Sequence, residues 1–262
     1  FKATAAGRDM DRVIIKSTGE PTYRLPDIAY HRDKFDRNFD VIVDVFGADH
    51  MDAYPDVIAA IKSLDYDSDK IKVLIHQFVT VLKNGEPVKM STRKANFISL
   101  DSLIDEVGAD VTRFFFIMRS MNTHLNFDLD LAKEQSDANP VFYIQYAHAR
   151  CCNMLRRFEG DLDSIDESSL EHLKLDIETQ LINKLLTFPE VIRKSSQTLE
   201  PQNISNYLAE LASSFHSYYA KERVIDLENK ILTEARIYLV NATRIVIRNG
   251  LKVLGVSAPE QM

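Results

Sequence analysis

Residues 79–96, VTVLKNGEPVKMSTRKAN, decide how the rest of the chain is read. Val79, Val81 and Val88 favour strand, and Asn84-Gly85 supplies the two positive-φ positions of a tight type I′ turn, so a β-hairpin is expected. The alternation then breaks into Lys89-Met90-Ser91-Thr92-Arg93-Lys94, three cations and two hydroxyls around one apolar side chain. A loop of this composition suits a polyphosphate, because lysine and arginine stabilise charge spread over phosphoryl oxygens. From these six residues alone, a solvated basic loop is the plainer reading.

Upstream, residues 11–17 read as a short strand, and Pro26 stands near the first turn of a helix. Residues 40–46 (DVIVDVF) and 70–77 (KIKVLIHQ) read as strands flanking a helix over 55–64. Strand, loop, helix, strand with apolar runs predicts part of a parallel α/β sheet. Ligands of such sheets gather at the carboxyl ends of the strands, where Gly47, Ala48, Asp49 and His50 would lie.

Downstream the period changes to helical. Leu103, Ile104 and Val107, then Val111, Phe114, Phe115 and Met118, form a stripe broken at Gly108, while 123–131 reads as irregular. From Asn139 onward only helices are expected, with breaks at Gly160, Pro189, Pro201 and Gly250. Their stripes are Leu173, Ile177, Leu181, Leu185; Tyr207, Leu208, Leu211, Phe215; and Ile231, Ala235, Leu239, Ala242, Val246. An antiparallel helical bundle follows. The turn formers SDANP at 136–140 mark the join, giving two domains, 1–138 and 139–262.

Composition narrows the function classes. The chain has 262 residues, is 45% hydrophobic and carries a net charge of −7, with the acidic excess mostly in the first domain. That balance does not favour nucleic acid as a partner, yet Arg150, Arg156 and Arg157, and Arg236, Arg244, Arg248 and Lys252, form local basic stripes. No apolar run is long enough to span a membrane. The N-terminus lacks the apolar core of a secretory signal and begins without methionine, as a piece of a longer chain would. Cys151 and Cys152 are adjacent, with no metal-ligand spacing around them, and are expected to be buried reduced thiols of a cytoplasmic protein.

Six segments, in order, resemble arginyl-tRNA synthetases of class I. They are GEPTYRLPDIAYHRDKF (19–35), FGADHMDAYP (46–55), KMSTRKANF (89–97), GADVTRFFFIMRS (108–120), HLNFDLDLAKEQSDANPVFYIQYAHAR (124–150) and LTEARIYLVNATRIVIRNGLKVLGVSAPEQM (232–262). The resemblance covers nearly the whole chain. It implies the second half of a class I nucleotide-binding, Rossmann-like fold followed by an all-α anticodon-binding bundle. Neither the HIGH motif nor the asparagine-containing motif before it occurs, so the C-terminal portion of such an enzyme is expected.

The resemblance also implies roles. Tyr23 and Asp27 match positions that hold the arginine side chain, a chemically sensible pairing of carboxylate with guanidinium. Gly47, Asp49 and His50 match the strand-end element placed against ATP. The run after that histidine, Met51-Asp52-Ala53, departs from the family and carries nothing over. Lys89, Met90 and Ser91 match the first half of KMSKS, with Lys89 and Ser91 catalytic. Thr92 and Arg93 stand where the family has lysine and serine, leaving open whether Arg93 or Lys94 meets the triphosphate. Tyr143, Tyr146, Tyr219, Arg223 and Met262 match segments that approach the anticodon, where rings stack on unpaired bases. By spacing alone, an aromatic stripe on a helix is core. The implied substrates are L-arginine, ATP with Mg2+, and tRNA(Arg), acted on by a parent enzyme that is monomeric. No resident metal is implied. A non-catalytic RNA-binding or regulatory module derived from a class I synthetase is the alternative.

Overall fold

The computed structural model describes residues 1–88 and 98–262. It divides into two compact units, Phe1–Val79 with Met121–Leu125, and Thr80–Ser120 with Asn126–Met262.

The first unit is built on two parallel strands, β1 (Ile42–Gly47) and β2 (Ile71–His76), paired from Ile42↔Ile71 to Gly47↔His76. Helices α1 (Arg24–Asp36) and α2 (Tyr54–Ser63) cover one face. Their core is Ile28, Ile42, Val57, Ala60, Ile61 and Ile71, with Phe35 and Tyr66 packed beside it. The other face of β1 is open: Val43 and Val45 are exposed. Within this unit, helices cover only the Ile42–Asp44 side. Residues 11–17 do not form the expected strand. Only an isolated bridge, Ile15↔Pro21, is made there, and the nearby Arg8 and Arg12 side chains bond Asp56 at the start of α2.

The hairpin is as the sequence predicts. Strands β3 (Val79–Lys83) and β4 (Glu86–Pro87) pair antiparallel around Asn84 (φ 54°) and Gly85 (φ 75°), the twisted turn that matches strand twist. Residues 123–131 are more ordered than expected. They form β5 (Leu125–Asp128), which joins β3, and a short helix α5 (Leu129–Lys133) capped by Asp128. The alternation of buried Leu125 and Phe127 was masked by neighbouring polar residues. Helices α3 (Leu100–Val107) and α4 (Ala109–Ile117) meet at Gly108, whose φ 86° and ψ 158° only glycine adopts at low cost.

The rest is the bundle: α6 (Pro140–Arg157), α7 (Asp176–Leu186), α8 (Phe188–Thr198), α9 (Gln202–Lys221) and α10 (Lys230–Leu254), with 3-10 turns in the 162–172 connection. Ile144, Ala147 and Cys151 of α6 pack in the core with Leu208, Leu211 and Phe215 of α9 and Val240, Ile247 and Leu251 of α10, all essentially buried. Both cysteines are buried free thiols, and burial pushes the Cys151 thiol well up.

Two readings of α10 need correction. Gly250 does not break the helix; it lies inside it because a Cβ there would meet Leu208 Cδ2 at 2.6 Å. The buried stripe also runs through Arg236, Val240, Thr243, Ile247 and Leu254, whereas Ile231 is half exposed. Arg236 and Thr243 hid the stripe from a purely apolar pattern. Each is satisfied inside: Thr243 donates to the Leu239 carbonyl. Arg236 donates to Glu178, to Glu222 and to the Arg223 carbonyl.

Candidate functional site

In the first unit, α1 and the end of β1 carry one set of expected residues. His31 and Lys34 reach back to Asp44 in the middle of β1, at 2.6 and 2.5 Å. The first turn of α1 lies against the start of α2, the helix that follows β1. There Arg24 bonds Asp56 at 3.1 Å, tying the start of α1 to the start of α2. Tyr23 and Asp27 occupy that first turn and are exposed. Arg24 stacks its guanidinium over the Tyr23 ring, 4.7 Å from the centroid. The Asp27 carbonyl faces His31 Nδ1 at 2.8 Å.

Gly47, Asp49 and His50 form a 3-10 turn at the end of β1. A Cβ on Gly47 would fall 2.5 Å from Asp49 Oδ1, so glycine is what lets the Asp49 carboxylate fold back over the strand end. Asp49 and His50 face each other at 3.6 Å with both side chains mostly exposed. Phe46 stacks loosely on His50 and Tyr54, at 6.0 and 6.2 Å.

Two buried carboxylates hold this frame. Burial disfavours the charge of Asp44, but its bonds from Lys34 and His31 outweigh that and keep its pKa below the usual carboxylate range. Asp56, on the first turn of α2, is pulled down in the same way. Against burial stand Arg12, Arg8 and Arg24, at 2.7, 2.9 and 3.1 Å. Lys89, Met90, Ser91 and Arg93 lie outside the described residues.

In the second unit, α6 and α9 place a second group. Tyr143, Tyr146 and Arg150 are spaced three and four apart on α6, and His216 and Tyr219 three apart on α9, so each set shares a face. Arg150 lies between two rings, 4.4 Å from the Tyr146 centroid and 4.5 Å from that of Tyr219, a geometry in which ring quadrupoles attract the cation. His216 packs on Tyr143 at 4.7 Å and Tyr146 at 5.9 Å. Met262 is brought here by a tail that runs along α6 without regular structure. Gln145 donates to the Ser257 carbonyl and to Asp110, both at 3.0 Å. His148 Nδ1 bonds the Pro259 carbonyl at 2.9 Å, and Arg156 the Glu260 carbonyl at 3.3 Å.

Two adjoining hollows open on this surface. One, of about 510 Å³, is lined by Tyr146, Arg150, Asn153, Arg156, Tyr219 and Met262. The other, of about 600 Å³, is lined by Gln135, Asp137, Phe142, Tyr146 and Met262. Tyr146 and Met262 belong to both. Aromatic faces, two guanidiniums and a thioether around open hollows suit a planar, electron-rich base beside a phosphate.

The structure thus brings Tyr143, Tyr146, Tyr219 and Met262 together. Arg223 is not in that group: it follows α9 and donates to the Ile225 carbonyl. His216 and the tail anchors Gln145, His148 and Asp110 were not singled out from sequence. The His216–Tyr219 spacing was the available signal for the first; nothing local marks the others.

The model of the tRNA synthetases class I (R) catalytic domain matches residues 2–146, and that of the DALR anticodon binding domain matches 144–262. An arginine–tRNA ligase of Salinibacter ruber is 53% identical over all of this chain and 47% of its own length. One from Chlorobium phaeobacteroides is 53% identical over all of this chain and 48% of its own. This chain therefore spans about half the length of the curated relatives it matches. Among solved structures, an arginyl-tRNA synthetase from Campylobacter jejuni superposes with TM-score 0.90 at 31% identity, over all of this chain and 57% of the other. The arginyl-tRNA synthetase of Thermus thermophilus, at 21% identity and TM-score 0.83 over all of this chain and 53% of the other, shares the fold. Matched by the catalytic-domain model over more than half its length, the chain belongs to the class I (R) tRNA synthetase family.

Proposed function

We propose that this chain is the KMSKS-side portion of an arginine–tRNA ligase, residues 1–138 completing its catalytic domain and 139–262 reading the anticodon. In the parent enzyme the L-arginine carboxylate attacks the α-phosphorus of ATP, taken with Mg2+, to give arginyl-adenylate and pyrophosphate, and the arginyl group then passes to tRNA(Arg) with release of AMP. Tyr23 and Asp27 hold the guanidinium of the substrate, Asp27 through a charge-assisted fork. Gly47, Asp49 and His50 receive the nucleotide at the strand end. Lys89, Met90, Ser91 and Arg93 clamp its phosphates, with Lys89 stabilising charge as the arginine carboxylate attacks the α-phosphorus and Ser91 assisting. Tyr143, Tyr146, Tyr219 and Met262 meet anticodon bases, and Arg223 lies at the margin of that contact. The parent works as a monomer in the cytoplasm.

The observation that carries this reading is the Arg150 guanidinium held between Tyr146 and Tyr219 beside Met262, within the stretch similar to an anticodon-binding domain. Because the sequence holds no HIGH motif, the isolated chain is expected to bind tRNA(Arg) without forming adenylate. Binding is measured against the same tRNA with altered anticodon bases, between about 50 and 200 mM salt. A preference for the native anticodon that survives salt supports the reading. Equal binding to both, vanishing with salt, refutes it, and arginine-dependent pyrophosphate exchange by the isolated chain refutes the catalytic part.

A further inference from the structure

The contacts of His216 admit one protonation state. A guanidinium only donates, so Arg150 Nη1, 3.0 Å from His216 Nδ1, needs that nitrogen bare. A carbonyl only accepts, so Nε2, 3.2 Å from the Tyr143 oxygen, carries the hydrogen. The neutral Nε2–H tautomer satisfies both; the imidazolium would set N–H against N–H and cation against cation. We propose that His216 is a positioning residue for this base-reading surface: neutral, it holds Arg150 between Tyr146 and Tyr219, and its protonation releases Arg150.

The groups facing His216 are consistent with this. From α6 come Tyr143, Tyr146 and the Arg150 cation; from α9, Phe215. Among the described residues, Asp137, just before α6, is the carboxylate that acts on it. Burial pushes the His216 pKa down and Arg150 adds to that, while the Tyr143 carbonyl and Asp137 pull the other way. The neutral form therefore prevails at neutral pH, and acid populates the form that the geometry cannot hold.

The inference rests on the tRNA-binding reading above, and the test separates the two. The full 262-residue chain is titrated with tRNA(Arg) from about pH 8 to about pH 5.5, and the wild type is expected to lose affinity severalfold, with about tenfold as the ceiling for a single imidazole titrating below its ordinary value. Bulk electrostatics act in the opposite direction, because acid makes a chain of net charge −7 less negative and strengthens nonspecific RNA binding. His216→Asn offers an amide oxygen to Arg150 but does not titrate; it should bind within about threefold of wild type at the upper pH and show no acid loss. His216→Phe keeps the ring and removes the acceptor, and should bind weakly throughout. Nitrogen NMR of the wild-type imidazole provides a readout without RNA, expected to show bare Nδ1 and protonated Nε2. An unchanged acid loss in His216→Asn, wild-type affinity in His216→Phe, or the opposite tautomer each overturns the proposal. Undiminished binding by Tyr146→Ala overturns the tRNA reading itself, whatever His216 does.

Discussion

Removing charge from Glu178 should be among the most damaging single changes in the bundle. Its side chain is fully buried and its Oε1 receives Arg236 Nε at 2.8 Å, with the arginine side chain only 8% exposed. Its Oε2 accepts from the Leu175 amide at 3.0 Å and so caps α7. Glu178→Gln keeps an oxygen for one of these bonds and nearly the same volume, so the change isolates the charge. Arg236 then retains only Glu222, which is partly exposed, and the Arg223 carbonyl. Breaking a buried pair costs about 3–5 kcal/mol, mostly from the charge left behind; the surviving partners place Glu178→Gln near the lower end, at about 3 kcal/mol. Arg236→Met should cost about as much, and the double variant little more than either, because the second change removes the stranded charge. The chain has no tryptophan, so urea unfolding is followed by far-UV circular dichroism and by amide exchange in α10. Additive losses, or a single loss below about 1 kcal/mol, would refute the reasoning and class the pair with ordinary surface bridges.

Gly250→Ala should destabilise by about 1–3 kcal/mol despite the better helix propensity of alanine, because the new methyl meets the fully buried Leu208 side chain; a gain in thermal stability would refute the packing argument. Gly85→Ala should cost about 1 kcal/mol in the hairpin, since φ 75° disfavours a side chain, and chemical denaturation measures it. Asp44 and Asp56 ionise below the usual range in the folded state, so that state binds fewer protons than the unfolded one. Their stabilisation stands above about pH 4 and is lost as pH falls through the folded values. An acid titration by circular dichroism should show this loss in the first unit, and Asp56→Asn should remove part of its pH dependence.

Local chemistry made much of the fold legible. Asn84-Gly85 names its own turn, and the β-branched runs of β1 and β2, separated by a helix, announce a parallel pair. The stripe Tyr207, Leu208, Leu211, Phe215 is wholly buried because its period is unbroken by polar residues. Reading failed where a residue's meaning depends on a distant partner. Gly250 looked like a helix stop because its reason is Leu208, on another helix. Arg236 reads as part of a basic stripe because its partner Glu178 lies 58 positions away. In the candidate site, Tyr143 and Tyr146 are singled out by resemblance, whereas the contacts of His216 with Arg150 and Tyr143 exist only when α9 is laid against α6.

The tail over 257–260 is held largely through its backbone. Gln145, His148 and Arg156 each bond a main-chain carbonyl, of Ser257, Pro259 and Glu260, and only Ser257 also engages Asp110 with its own hydroxyl. A carbonyl is the same whatever residue bears it. Natural variation should therefore drift freely at 258, 260 and 261 while Gln145, His148 and Arg156 stay fixed. In directed evolution those three tail positions are the places to change the rim around Met262 without losing its placement.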